Sequence, residues 1–460
     1  MIFPKLSTRR LAMKSVFAAT SPLVAFQVRE QAVEQPTEPI APRQKFQKTF
    51  LLSHMSDAQF PLPLRRLVIS APGLTCVTFD DSKPASVTVS AENVAAVDAF
   101  EVKPLDNCGV EVRIKENLTR QYLLTEVTLP SPQALQTLEM RGSGTVVVCD
   151  NVLMTNDPEA EVRVRLSGSG DAYVTSHSPV RANTVEVELS GSGDVQLIAP
   201  ALTLTDSFRS NVSSSGDLRV YAGTITAPTV ELTTSGSGDM QIAALGVEAP
   251  KSFTTKLSGS GTIAVLGDEL KAGSLVVGIS GSGDVKLAAK EHLACDSVHA
   301  SVTGSGDVKI ASHHAVCDES VISATGSGIV DARDLVARRT RVSVTGSGVT
   351  LFRATEKAEV TVTGSGSATI VGDMPLSVLG RVYHKNVEQK PSLVDKLLSK
   401  RHQPKNAPAA VDAFEHLTRF NGTINVTNFS EFIGALKVLW NTRSGDNITI
   451  KAGNGVHETP

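Results

Sequence analysis

A three-residue unit, Gly-Ser-Gly, constrains this chain more than any other feature. Copies start at Gly142, Gly168, Gly191, Gly236, Gly259, Gly281, Gly304, Gly326, Gly346 and Gly364, and Ser214-Ser215-Gly216 is an eleventh, degenerate copy. Successive steps are 26, 23, 23, 22, 23, 22, 23, 22, 20 and 18 residues. So regular a period marks a repeat architecture, in which one small unit recurs and neighbouring units bury each other's faces.

With the first glycine of each copy as position zero, even positions are apolar and odd ones polar. In the third copy Val185, Val187, Leu189, Val195 and Leu197 alternate with Ser190, Ser192, Asp194 and Gln196. In the copy at Gly281, Leu275, Val277, Ile279, Val285 and Leu287 alternate with Ser280, Ser282, Asp284 and Lys286. Period two is the mark of an extended strand with one face buried. Both glycines have inward parity, so the motif reads as strand, tight bend, strand. Glycine there removes a side chain that would meet the core, and it permits positive φ. Pieces such as Leu202-Thr203-Leu204 supply further extended chain. The pattern predicts an all-β, parallel β-helix-like solenoid of about eleven rungs, each roughly 22 residues, stacked about 4.8 Å apart into a rod on the order of 50 Å long. Helical repeats are excluded by the periodicity, and propeller blades need roughly 40 residues each.

Composition agrees with a narrow core. Of 460 residues, 41% are hydrophobic but only 4% aromatic, with Trp440 the single tryptophan. A formal charge of −3 offers no global field for nucleic acid. Five cysteines, an odd number, argue against a disulfide framework and for a reducing compartment. No apolar run is long enough to predict a transmembrane helix.

The expected organisation is a targeting or disordered segment at 1–45, a β-rich lead-in and cap at 46–140, the repeat solenoid at 141–380, a linker at 381–410 and a capping segment at 411–460. Leu67–Ile69, Ser86–Val89 and Val110–Ile114 read as strands, and Thr125–Leu129 followed by Leu135–Met140 is expected to lead into Gly142. A helical turn is expected within 392–400. Phe429, Phe432, Ile433, Leu436 and Leu439 fall on one face of a further helix, read as packing on the solenoid end. Lys5, Arg9, Arg10, Lys14 and Arg29 precede the first acid, Glu30, in a segment rich in Ser and Ala. That composition points to a mitochondrial transit peptide, with cytoplasmic or secreted placement as the alternatives.

Two features resemble a known family. One is Val127-Thr128-Leu129-Pro130, a gap, then Leu135–Met140 and Arg141-Gly142-Ser143-Gly144-Thr145-Val146; the other is the recurring Leu-Ser-Gly-Ser-Gly-Asp-Val, as at Leu189–Val195. Both resemble the auto-transporter adhesin head domain, or GIN, family over about residues 65–380. The resemblance implies a β-helix-like fold and no enzyme activity.

Four constellations bear on chemistry. Asp171, Asp194, Asp217, Asp239, Asp284 and Asp307 recur three places after the first glycine, facing outward. Stacked carboxylates suit calcium; equally, each Asp can bond turn amides. Thr145, Thr262, Ile329, Val349 and Ser367 hold the same slot elsewhere, which favours the amide reading. Hydroxyls form two ladders, one at the central Ser of every copy from Ser143 to Ser365 and one just before the first glycine. They read as turn residues or as an array for a repetitive surface such as glycan. His292-x-x-Cys295 and His314-x-x-Cys317 lie 22 residues apart and could offer zinc four ligands. However, the Cys slot holds Ala182, Ala227, Ala272 and Ala337 in other rungs, and residues three apart on a strand face opposite ways. Arg333, Asp334, Arg338, Arg339, Arg341 and Arg353 are the nearest approach to a carbohydrate-cleaving cluster, read as a solvated charged face.

No Gly-x-Ser-x-Gly elbow joins a strand to a helix. The sequence assigns no catalytic, cofactor-binding or metal-ligating residue, and no cofactor. It points to a non-enzymatic, adhesin-like binding or scaffold protein presenting a rigid flank to a protein partner. A glycan-binding or glycan-cleaving protein on the same scaffold is the alternative. A third reading makes the basic tail, with Lys396, Lys400, Arg401 and Lys405, the docking element.

Overall fold

Each Gly-Ser-Gly corner lies directly over the previous one. The computed structural model describes residues 46–52, 63–106, 108–115, 123–150, 152–153, 156–386 and 393–398, together with 422–426 and 448–452. The transit-like segment at 1–45 and the apolar stripe at 429–439 lie outside the described residues. The chain divides into two units. Lys45–Arg401 forms the solenoid. In the other, Gly422–Val426 and Ile448–Ala452 pair in parallel.

Parallel pairing repeats at the sequence period. Strand Val195–Val212 pairs with Leu218–Thr226 and Thr229–Thr234, and these pair with Met240–Leu257. Thr262–Gly281, Asp284–Gly304, Asp307–Gly326 and Ile329–Gly346 follow, each in parallel with the next. The expected β-solenoid is the observed fold, and alternation decides its interior. Val185, Phe208, Val230, Phe253, Leu275 and Val298 occupy one inward column, so a ring is followed by a smaller aliphatic residue. Phe208 and Phe253 are fully buried. Alternating volumes let successive layers interlock at the close density of protein interiors.

The glycines are needed for a reason other than the one parity suggests. A Cβ on Gly191 would meet the carbonyl oxygen, carbon and nitrogen of Gly168, well inside van der Waals contact. The obstacle is therefore the backbone of the neighbouring coil, not the core. In several copies the second glycine meets both: a Cβ on Gly306 would strike the Gly283 carbonyl and stand 2.9 Å from Ile279 Cγ2. Within the Gly-Ser-Gly copies, positive φ is found only at the first glycine of the later corners, at 126° for Gly304 and 107° for Gly346.

At its N-terminal end the stack departs from sequence order. Arg66–Ser70 and Leu74–Phe79 are sandwiched between the pair Gly109–Ile114 and Leu123–Leu129 on one side and Thr137–Met140 and Thr145–Val148 on the other. Leu123–Leu129 therefore does not lead into Gly142 as expected; it lies a full coil away. The corner beneath Gly142 and Gly144 is Ala71-Pro72-Gly73, whose carbonyls those glycines overlie. Beyond it, pairing turns antiparallel: Phe46–Leu51 on Ser86–Ala91, Ser86–Ala91 on Leu123–Leu129, and Phe100–Leu105 on Gly109–Ile114. Helix α1 (Val94–Asp98) is capped by Asn93, whose side chain accepts from the Ala96 amide at 2.7 Å.

The last full coil consists of Ser367–Val371 and Ser377–Leu379, and Tyr383–Lys385 pairs in parallel on Ser367–Val371 beyond it. A helical turn does form in the expected region, as α2 (Leu393–Leu398). It packs Val394 and Leu397 onto Leu266, Ala288 and Ala311 on the solenoid flank.

Candidate functional site

The aspartate ladder ties coil to coil. Oδ1 of Asp171 accepts from the amide of Asp194 at 2.9 Å, Asp194 from Asp217 at 3.1 Å, Asp217 from Asp239 at 3.1 Å and Asp239 from Thr262 at 2.8 Å. Asp307 does the same for Ile329 at 3.1 Å. Each of these five carboxylates serves the equivalent amide one coil on, not an amide of its own turn. This explains why Thr262 and Ile329 are tolerated in the slot, since a receiving residue needs only its N–H. Cations flank the ladder: Arg219 bridges Asp194 and Asp217, Lys286 meets Asp284 at 3.0 Å and Lys309 meets Asp307 at 3.2 Å. Burial pushes the Asp171 carboxyl up, and the Asp194 charge adds to that against the amide bond it accepts. Among the described residues no group of three or more His, Cys, Asp or Glu is placed to hold a metal ion.

The hydroxyl ladders form an exposed ridge along the corners, from Ser143 to Ser365. Some of their polarity is spent between coils: the Ser167 hydroxyl donates to the Met140 carbonyl at 3.4 Å, and Ser347 and Ser365 share a hydrogen bond at 3.2 Å.

His292 and His314 stack with ring centroids 5.3 Å apart on the outside, whereas Cys295 and Cys317 point inward and are buried. The four do not converge. The cysteines lie in one column with Ala249, Ala272, Ala337 and Ala354.

The arginine-rich patch is a lattice of ion pairs. Arg338 bridges Asp318 at 3.5 Å and Glu356 at 3.0 Å, Arg339 meets Glu319 at 3.2 Å and Arg341 meets Glu359 at 2.9 Å. Arg333 grips the buried Asp331 at 2.7 Å. Asp334 is pushed up by burial and by the Asp331 charge, against the pull of Arg333, Arg353 and His313.

One further feature went unnoticed in the sequence. A groove of about 600 Å³ runs along the flank, crossing the coils at Glu248–Pro250, Lys271–Gly273, Ala294–Asp296, Val316–Asp318 and Val336–Arg338. Its floor is built of small residues, Val316 stands 56% exposed within it, and Glu248, Lys271, Asp296, Asp318 and Arg338 mark its rim. No aromatic ring lines it.

A family model described as "Putative auto-transporter adhesin, head GIN domain" matches residues 68–269 and 255–373, well over half the chain. The chain belongs to this family. Among solved structures, the GIN-domain solenoid is similar to a "putative adhesin" from Bacteroides fragilis, at 18% identity over 53% of this chain and 97% of that one, with a TM-score of 0.39. A second "putative adhesin", from Parabacteroides distasonis, is 13% identical over 75% of this chain and 97% of that one, with a TM-score of 0.22. A "Putative lipid binding protein" from the same species is 13% identical with the same coverage and a TM-score of 0.20. No curated protein matches the sequence.

Within the GIN-domain solenoid, the groove had a faint sequence signal. Its outward lining is small, with Gly273, Ala294, Val316 and Val336 each next to the recurrent inward slot that holds Ala272, Cys295, Cys317 and Ala337. A column of small residues at one coil position leaves a trough if the side chains beside it are larger. Which flank that trough opens on is decided by the coil's bends, which parity does not encode.

Proposed function

We propose that this GIN-domain protein is a non-enzymatic, adhesin-like binding protein, and that the flank groove receives an extended segment of a protein partner. The observation that carries the reading is the groove's make-up: a floor of small apolar residues and a rim of both charges. An extended peptide offers alternating apolar and charged side chains to such a trough, with specificity set by the rim. Sugar sites on β-helices favour aromatic platforms and converging acids. Here Glu248, Asp296 and Asp318 are strung out along the rim among cations. The exposed hydroxyl ridge favours the second reading, a glycan ligand lying along the corners. The basic N-terminal segment supports mitochondrial residence.

A photo-crosslinking residue placed at Ala294 in the groove, and separately at Ser305 on the ridge, tests this in the source cells. The expected result is a discrete protein adduct from position 294, resistant to glycosidase and recovered in the mitochondrial fraction. Adducts from position 305 alone, or adducts that collapse on glycosidase treatment, would overturn the protein reading. Recovery outside mitochondria would overturn the placement.

A further inference from the structure

Cys295 and Cys317 are opposite one another in register on adjacent coils, both free and both turned inward. Among the described strand pairings no other two cysteines face each other in register; Cys76, for example, lies opposite Val147 and Glu126. Above and below the pair the column continues as Ala272 and Ala337, and both cysteines border the flank groove.

We propose that these two thiols form a two-coordinate site for a soft monovalent cation of the copper(I) class, one thiolate from each coil. Spacing decides between the chemistries open to such a pair. Neighbouring coils hold matching residues about 4.8 Å apart. A disulfide needs Cβ atoms about 3.5–4.5 Å apart, and side chains held parallel in register keep theirs near the coil spacing, so closing one here would tilt the two Cβ atoms together against the backbone ladder. A metal–thiolate bond is about 2.3 Å, so two bonds in line span about 4.6 Å, close to the coil spacing. Zinc wants four ligands, and the alanines on either side and the outward histidines supply none. Soft thiolates select copper(I) among the common biological metals. As the cation binds, each coordinating thiol gives up its proton to solvent through the groove and no electrons are transferred. Contact with the Cys317 sulfur, then burial, pushes the Cys295 thiol up.

Silver(I), a redox-inert probe of the same class, tests the site. The full chain is titrated against a competing thiol and the bound ions are counted by native mass spectrometry. The variants are Cys295→Ala, Cys317→Ala and the double variant. Alanine is the residue the flanking coils already carry in this slot, and unchanged circular dichroism checks the fold; Cys295→Ser and Cys317→Ser give the same comparison should either alanine variant misfold. Wild type is expected to hold one more tightly bound silver ion than either single variant, because losing one thiolate removes an intramolecular bond worth roughly 100-fold or more in affinity. The double variant should lose no more than the singles. Single variants that keep the ion, or a double variant that loses two, would overturn the shared site. Loss of two hydrogens from this pair on storage in air would overturn the spacing argument.

Discussion

At the residue scale, glycine and aspartate do different jobs at one corner. Gly191 is glycine because the carbonyl of Gly168 occupies the space a Cβ would need. Asp194 is aspartate because its carboxylate reaches the amide of Asp217, a charge-assisted bond of the stronger kind. Between them the hydroxyl of Ser192 is exposed. Gly191→Ala should therefore cost about 2–4 kcal/mol, since backbone cannot move aside as a side-chain tip can. Ser192→Ala should stay within about 0.5 kcal/mol of wild type. Urea denaturation of the two variants side by side measures the contrast. The sequence marked both residues by recurrence. It did not reveal that the partner of each lies one coil away, because a column neighbour is more than 20 positions distant in the chain.

At the element scale, the out-of-order coil at the N-terminal end is pinned by charge. Arg66 on strand Arg66–Ser70 and Arg141, just past Thr137–Met140, both bond the carboxylate of Glu139 at 2.7 Å. Burial pushes Glu139 up, but the hydrogen bond from Arg141 and the charges of Arg66 and Arg141 outweigh it, so the group titrates below its ordinary value near 4.5. A lowered folded value means the ionised form is favoured by folding. Its contribution is complete above the unfolded value and is lost as pH falls through the folded one. Glu139→Gln should be less stable than wild type at pH 7 by roughly 1–3 kcal/mol. That gap should narrow below about pH 4.5, so the variant's stability falls less steeply with acid. Thermal melts of both proteins from neutral to acid pH check the sign. The strands of this region were legible from alternation; their stacking order was not, because several strands of like pattern can satisfy the same edge.

At the scale of the whole molecule, the solenoid behaves as a stack in which each coil touches only its neighbours. Deleting Gly236–Ser258, one full step of 23 residues, joins Ser235 to Gly259 and keeps both register and parity. The shortened protein should fold, with circular dichroism unchanged in shape and a length reduced by about 4.8 Å in small-angle scattering. Deleting Gly236–Leu245 instead puts Gly246 in the inward slot after Ser235 and Val247 in the outward one, so it shifts the alternation by one, turns the following apolar set outward, and should give insoluble protein. The flank groove also belongs to this scale. It crosses the coils from Glu248 to Thr355, and no single rung contains enough of it to be read as a site.

Period and parity are local properties, written in the order of glycines, valines and serines, and they alone determined the coil, its inward face and the register of each corner over the last. Long-range pairing decided the rest: the insertion of Arg66–Phe79 beneath Gly142, the carriage of each aspartate bond to the next coil, and the meeting of Cys295 with Cys317 beside a groove. Those outcomes depend on which backbone edges meet in space. Alternation says which way a side chain points, and only the folded stack says what it meets there.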